Sequence, residues 1–483
     1  MKLKQLLNNL DCKICGKANV NVTSLQHIAQ QATKGSIFFC LNGKVSSGED
    51  WASDAIKNGC KVIVTQSSIN VPKSITQIIV KDARIAMSQI AANFYGNPAD
   101  NLNIIGVTGT NGKTTTTNMI AHVLSQTNNV GVIGTLGAKY CGKTVDTGFT
   151  TPDPIILQQI FADMVNCGVK YVVMEMSAHA IYLNKLYGIN PQVVAFTNLS
   201  QDHLDYFENM ENYYQAKKQL FTAGNYKHAV VCTDSAYGKQ LAADCPNCIT
   251  CNTTSTNADV KATLIEHSIG GQKFNITCKS GSQVFDIKLL GNFNLQNVCV
   301  AISCLLACNL SLSQIANSMQ NMQGVPGRFE SYYNGKITII VDYAHTPDGL
   351  KNLLSTARDV AGKGKLVCVF GCGGNRDTDK RPQMAAIAEN LSDYVIVTND
   401  NPRFEDSYKI AQDICGGFAK NKHCVLLDRG QAVRKAVSMC KPGDIVVLAG
   451  KGAEEYMDIC GKKIDFSDKL LAEAALQETN FLA

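Results

Sequence analysis

The stretch Gly106-Val-Thr-Gly-Thr-Asn-Gly-Lys-Thr-Thr-Thr116 limits the possible folds more than any other part of the chain. The apolar run Leu102 to Val107 feeds into it, and hydroxyl residues follow. That order predicts a buried strand, a glycine loop and then a helix. Glycines let backbone N–H groups close on phosphate oxygens, and the helix N-terminus adds its partial positive charge. In such a loop Lys113 supplies a point charge for the β- and γ-phosphates, and Thr114 offers a hydroxyl to Mg²⁺. The full Walker pattern asks for glycine where Val107 stands, so only the shorter form Gly109-Thr110-Asn111-Gly112-Lys113-Thr114 is present. A chance glycine loop is the alternative. It would not account for the strand before, the helix after and the Lys-Thr pair together.

With 483 residues the chain exceeds one ordinary core, so several domains are expected. Residues 1–97 alternate short apolar runs such as Ser36-Ile-Phe-Phe-Cys-Leu41 and Lys61-Val-Ile-Val-Thr65 with helical patterns, and Gly96-Asn-Pro98 closes that part. Residues 98–326 hold the glycine loop and the apolar runs Val130–Gly134, Tyr171–Glu175, Val193–Thr197 and Ala229–Cys232. These predict a mainly parallel sheet, with antiparallel strands added from about Asp259 to Leu290. Residues 327–483 carry a second series: Ile337–Val341, Leu366–Phe370, Tyr394–Thr398, Val425–Leu427 and Ile445–Leu448, with Gly324-Val-Pro-Gly327 as the hinge. The expected class is therefore α/β in three domains: a small N-terminal one, a central P-loop parallel-sheet domain, and a C-terminal Rossmann-like doubly wound one.

The net charge of +5 is small for this length and no Lys/Arg run stands out, which argues against nucleic acid. No apolar stretch reaches spanning length and no signal-peptide core precedes the first domain, so a cytoplasmic protein without membrane insertion is expected. The 20 cysteines are scattered, many in apolar runs, and read as small buried hydrophobes in a reducing compartment. Cys12-x-x-Cys15 and Cys245-x-x-Cys248-x-x-Cys251 have zinc-like spacing, but the first has no second pair and the second lies in a loop-like segment, so free thiols are expected.

Ligands of doubly wound sheets bind beyond the carboxyl ends of the strands. Each C-terminal strand is followed there by a polar stretch: Asp342-Tyr-Ala-His345, Gly371-Cys-Gly-Gly-Asn-Arg-Asp377, Asn399-Asp-Asn-Pro-Arg403 and Ala449-Gly-Lys-Gly452. Glu175 ends an apolar run, where a carboxylate needs a partner or a metal, and suits Mg²⁺; a strand-end carboxylate facing water is the alternative. His203, in Asp202-His203-Leu-Asp205, reads equally as a metal ligand or as a structural histidine beside a capping aspartate.

These motifs together resemble the Mur ligases: Gly109–Thr114, Thr150-Thr-Pro-Asp153, Glu175-Met-Ser177, Asn198–Asp205, Gly291-Asn-Phe-Asn294 with Asn297, Gly327-Arg-Phe-Glu330, Asp342–Pro347 and Asp400-Asn-Pro-Arg403. Their order covers about residues 100–470. The resemblance implies an ATP-dependent amide ligase of peptidoglycan synthesis that works through an acyl phosphate. It is nearest to the branch adding the third peptide residue to UDP-N-acetylmuramoyl-L-alanyl-D-glutamate, and a monomer is expected. It places Gly109, Thr110, Asn111, Gly112, Lys113, Thr114, Thr115, Asn294, Asn297, Arg328 and Asp342 on ATP. It places Thr114 and Glu175 on one Mg²⁺, and His203 on a second with Lys217 as a carbamate (N6-carboxylysine). Lys218 stands beside Lys217, and a plain surface lysine is the alternative. Lys113, Lys217, His203 and Arg328 carry catalysis in this reading, while Thr150, Thr151, Ser177 and Lys185 hold the UDP-muramoyl-dipeptide.

The same resemblance assigns the incoming amino acid as meso-diaminopimelate. Arg403 can grip its distal carboxylate with a two-pronged guanidinium, and Arg376 would assist. Asp400, Asn401, Pro402, Gly450 and Glu454 complete that pocket. Arg403 follows Pro402 at a strand end, which is expected to fix its direction; an exposed Arg403 is the alternative. The lysine-adding branch lacks that arginine, and a folylpolyglutamate-type ligase would not explain Arg403 with Arg376. A non-catalytic nucleotide-binding module would not need Lys113, Glu175, His203 and Lys217 together. Three departures from the family stand out. Leu183 and Lys185 replace a glutamine and an arginine, Ala453 replaces a histidine, and the Asp-Ser-Arg stretch and histidine of the first domain are missing near Lys34–Phe39 and Gly48–Trp51.

Overall fold

The structure, a computed structural model, describes residues 1–483 apart from 44–45, 255–256, 269–270, 321, 323 and 482–483. Spatial contacts divide the chain into two compact units. One holds Met1–Thr108, Leu124–Val194 and Ala216–Ala229; the other holds Gly109–Val123, Ala195–Gln215 and Val230–Ala483. The class is α/β, as expected.

In the first unit, a five-stranded sheet runs in the order Cys12–Cys15, Thr76–Val80, Val62–Thr65, Ser36–Phe39, Ser24–Gln26. All its pairs are parallel except the one with Cys12–Cys15. Ser36–Phe39 and Val62–Thr65 are buried at every position, which is why their sequences show no alternation. The helix Ala83–Phe94 covers this sheet, and Asp82 caps it by accepting from Arg84 N and Ile85 N at 2.7 and 3.0 Å. Asn97, at φ 54°, takes the left-handed turn that separates it from Pro98.

The same unit contains the strand Asn103–Thr108, paired parallel to Tyr171–Glu175, which pairs parallel to Val130–Gly134. A hairpin of Gly137–Tyr140 and Lys143–Val145 extends this edge. Its turn was not foreseen, and neither was the disulfide it makes. Cys141 at the turn and Cys167 at the end of helix Pro154–Asn166 are bonded, with Cα atoms 6.6 Å apart. Cys12, Cys15, Cys245, Cys248 and Cys251 are not disulfide-bonded.

In the second unit, His228–Cys232, Ile249–Asn252 and Val260–Ser268 pair in parallel, and Gly271–Cys278 and Gly281–Ile287 add the expected antiparallel strands. The six-stranded sheet has the order Glu330–Tyr333, Thr338–Asp342, Ile445–Ala449, Leu366–Phe370, Tyr394–Val397, His423–Val425. Every pair is parallel except that of the edge strand Glu330–Tyr333. Apolar clusters cover both faces, and the five parallel strands all end at one carboxyl edge. The last strand begins and ends two residues before the Val425–Leu427 run. It is an edge strand whose residues are only partly buried, so its apolar signal lies in the segment after it. No helix among the described residues is long and apolar enough to cross a membrane.

Candidate active site

The glycine loop takes its shape from the segment after the strand Val193–Phe196. Asn111 N donates to Asn198 Oδ1 at 2.9 Å, and Thr197 Oγ1 and Asn198 Nδ2 both donate to Asn111 O, at 2.7 and 3.1 Å. Gly109 and Gly112 have φ of 150° and 85°. A side chain at either would strike Thr197 Oγ1 or Asn297 Oδ1, so glycine is required twice. Asn297 is itself held by Asn294, which anchors to Leu290 O. Lys113 Nζ folds onto Gly109 O and Thr110 O at 3.0 and 2.8 Å. The Thr114 hydroxyl accepts from Arg328 Nη2 at 2.9 Å, and the Arg328 guanidinium also lies 4.5 Å over the Tyr343 ring. Thus Arg328, Lys113 and Thr114, three residues predicted on the triphosphate, are brought together. Asp342 accepts from Phe329 N and Ala344 N at 2.7 Å each. Burial raises its pKa, against the Arg328 charge and these bonds.

A buried carboxylate, Asp202, a few residues after Asn198 in the chain, gathers a cluster of basic side chains. His203 Nε2 lies 3.3 Å from it, and His345 Nε2 and Lys380 Nζ each lie 3.8 Å away. Burial pushes Asp202 up, yet the His345 hydrogen bond and the surrounding charges hold it well below the usual carboxylate range. His203 adopts φ 56° and packs its ring edge-on to Tyr213, whose hydroxyl is 3.2 Å from Thr110 Oγ1.

The first unit carries a separate polar group. Glu175, 1% exposed, is in register with Val107 of the strand that feeds the glycine loop. It accepts from Thr135 N and Thr135 Oγ1 at 2.9 and 3.2 Å, so it does not face water. Thr151 Oγ1 donates to Glu175 O and accepts from Ser177 N, while Thr150 contacts Thr135. Lys185 pairs with Asp153 at 2.7 Å, and His27 lies 3.6 Å from the same carboxylate. Lys217, on helix Met210–Thr222, is 1% exposed, which rejects the surface-lysine alternative; Lys218 is only half-buried.

At the carboxyl edge of the six-stranded sheet, Arg403 has φ 52° and its side chain is largely covered. Pro402 does not by itself aim it. Arg403 N donates to Asp458 O, Cys460 N donates to Arg403 O, and Arg403 Nη1 reaches Gly374 O at 2.8 Å. Arg376 lies exposed on the neighbouring loop. Asn401 Nδ2 donates to Glu454 Oε2 at 2.9 Å, and the buried Lys451 donates to Asn401 Oδ1 and Glu454 Oε2, both at 3.0 Å. Gly450, φ 116°, leaves room for Asp400.

Two parts of the chain match known families: residues 107–305 the Mur ligase middle domain, and residues 327–452 the Mur ligase glutamate ligase domain. The UDP-N-acetylmuramoyl-L-alanyl-D-glutamate--2,6-diaminopimelate ligase of Clostridium tetani is 40% identical, covering 99% of this chain and 100% of its own. The chain belongs to the Mur ligase family. A Geobacillus kaustophilus ligase of the same description is also 40% identical over 99% of this chain and 100% of its own. A solved structure of a ligase so described has a TM-score of 0.69 at 29% identity, covering 99% of both chains.

Several residues of this Mur ligase site escaped the sequence reading. Asn198, His345 and Asp153 were seen in their motifs without a role, and Lys380, Arg381 and Arg429 were not singled out. The only signal for the last three was a basic residue at the start of a helix that follows a strand end. Arg381 and Glu405 form a two-pronged pair at 2.7 and 2.8 Å. Its hydrogen bonds, opposed by burial, bring the Glu405 carboxyl down to about 2. The depressed pKa means its stabilisation is present above the ordinary glutamate value of about 4.3 and is lost as pH falls toward 2. Acid unfolding should therefore show Glu405→Gln losing less stability than the wild type across that window. Equal losses would disprove the assignment.

Proposed function

We propose that this Mur ligase joins meso-2,6-diaminopimelate to the D-glutamyl carboxylate of UDP-N-acetylmuramoyl-L-alanyl-D-glutamate, using ATP. The observation that carries the reading is Asp400-Asn401-Pro402-Arg403 at a strand's carboxyl end, with Arg403 bonded to the loop that bears Arg376. An amino acid with a distal carboxylate gives two guanidinium groups a partner, and lysine does not.

Carboxylate and amine do not condense in water, so the carboxylate oxygen first attacks the γ-phosphorus and ADP leaves. The amine of the incoming amino acid then attacks the acyl phosphate. A tetrahedral intermediate forms, inorganic phosphate leaves, and the amine proton is lost to a base. Phosphoryl transfer is chiefly positioning and charge neutralisation. Lys113 and the loop N–H groups are placed for the triphosphate, and Arg328 would leave Thr114 to meet it. Thr114, Glu175 and, once carbamylated, Lys217 would each offer an oxygen donor of the kind Mg²⁺ prefers, and His203 a nitrogen donor. When bound, Mg²⁺ would neutralise the charge on the phosphates. Thr150, Thr151, Ser177 and Lys185 would hold the dipeptide substrate. Residues 1–97, 98–326 and 327–483 would take the UDP end, the ATP and the amino acid respectively.

Product formation from ATP and the dipeptide substrate, measured with diaminopimelate and with L-lysine, tests the substrate assignment; a preference for lysine would overturn it. Hydroxylamine should trap the acyl phosphate as a hydroxamate, and a chain that only binds nucleotide would yield none. Arg403→Ala should raise the KM for diaminopimelate by the equivalent of about 1.5–3 kcal/mol, the value of a charged hydrogen bond. Unchanged kinetics in that variant would remove the specificity argument.

A further inference from the structure

Two arginines can share one carboxylate only if the loops that carry them keep a constant separation. The Gly371–Arg376 loop and the Asp400–Glu405 segment leave different strands, Leu366–Phe370 and Tyr394–Val397, so the sheet alone does not set the distance between their tips. Four hydrogen bonds join them: Gly374 N to Asn401 O at 2.9 Å, Arg403 Nη1 to Gly374 O at 2.8 Å, Asn375 N to Glu405 Oε2 at 2.9 Å and Phe404 N to Asn375 Oδ1 at 3.1 Å. Asn375 and Arg403 both hold left-handed backbone, with φ of 53° and 52°; asparagine takes this conformation readily, but in an arginine it persists only when the surroundings enforce it.

Glu405 is the member of this stitching that is itself anchored. Its carboxylate takes both prongs of Arg381, a fully buried side chain on helix Lys380–Leu391. Arg381 also reaches Asp413 Oδ2 at 2.7 Å and Gly373 O at 3.4 Å. One carboxylate thus ties the backbone beside Arg376 to the segment that holds Arg403, and a buried cation fixes that carboxylate to the helix below.

We propose that Glu405, pinned by Arg381, is a positioning residue for selectivity: it sets the spacing of Arg376 and Arg403 and so the preference for an amino acid with a distal carboxylate. The inference rests on the diaminopimelate reading above. Glu405 need not touch the substrate. Its loss leaves both arginines and the other three bonds between the loops in place, but frees the backbone beside Arg376 from its anchor on helix Lys380–Leu391.

The test is steady-state kinetics of Glu405→Gln and Glu405→Ala with each substrate varied in turn, alongside thermal unfolding. The KM for diaminopimelate should rise about tenfold or more while kcat stays within about threefold, and KM for ATP and for the dipeptide substrate should not move. The residual use of L-lysine should be unchanged, so the selectivity ratio falls by the same factor as diaminopimelate use. If removing the carboxylate prevents folding, Asn375→Gly relaxes the left-handed residue without leaving a buried charge alone, and it should raise the diaminopimelate KM in the same direction. An unchanged selectivity ratio in folded variants would overturn the role of Glu405, as would a parallel rise in all three KM values. A wild-type enzyme that uses lysine as well as diaminopimelate would instead overturn the reading beneath it.

Discussion

Asp468→Ala should destabilise the second unit by about 3–5 kcal/mol, the cost of leaving a buried charge without its partner. Asp468 and Arg429 are both 0% exposed and paired two-fold, Nε to Oδ1 at 2.8 Å and Nη2 to Oδ2 at 2.6 Å. The remaining donors of Arg429 reach Asn399 O at 3.2 Å and Ala449 O at 3.0 Å. Those carbonyls end the strands Tyr394–Val397 and Ile445–Ala449, on either side of Leu366–Phe370 in the sheet. Burial disfavours the Arg429 charge, but Asp468 more than offsets this and raises its pKa. Without the carboxylate, the guanidinium stays buried with two carbonyls and loses its directly bonded counter-charge, keeping only the fields of Asp400 and Glu454. Urea unfolding of the variant, read as the midpoint at constant m, measures the loss. A change under about 1 kcal/mol would mean the pair is hydrated, because exposed pairs are worth no more than that. Replacing both partners together, Arg429→Met with Asp468→Leu, should recover much of the stability, since an apolar pair needs no counter-charge.

Lys217→Ala should lower turnover by about 10²–10³-fold or more, the order of loss when one pre-organised electrostatic group is removed. Lys217 is almost completely buried on helix Met210–Thr222, where a bare ammonium would be costly to bury. Carbamylation converts it into a carboxylate-like group suited to a hard cation. The variant should stay folded, with a lower unfolding midpoint because the buried side chain leaves a cavity, and regain part of its turnover in high acetate or formate. A folded, inactive variant that no small carboxylic acid rescues would argue against the carbamate. A fully active variant would remove Lys217 from the chemistry altogether.

Much of the fold was legible because its signals are local. Continuous apolar runs of four to six residues marked the buried strands Ser36–Phe39, Asn103–Thr108, Leu366–Phe370 and Ile445–Ala449, since a strand covered on both faces has no polar side to show. Gly109 and Gly112 marked the loop because only glycine tolerates the backbone that Thr197 and Asn297 leave there. The strand His423–Val425 was misplaced by two residues because edge strands are half-covered and weakly patterned.

By itself the sequence determined the α/β class and the glycine loop, since spacing along the chain and residue chemistry suffice for these; Arg403 and Arg376 were named from the resemblance to the Mur ligases. The tertiary structure alone decided which residues hold them. Glu405 meets Arg381, Arg429 meets Asp468 39 residues away, and Asp202 gathers His345 and Lys380 from beyond another strand. It also buries Lys217, named from the family resemblance, more deeply than its neighbour Lys218. The physical reason is common to all of these. A buried charge is tolerable only beside a partner, and the partner is supplied by strand order and helix packing, which no local pattern encodes.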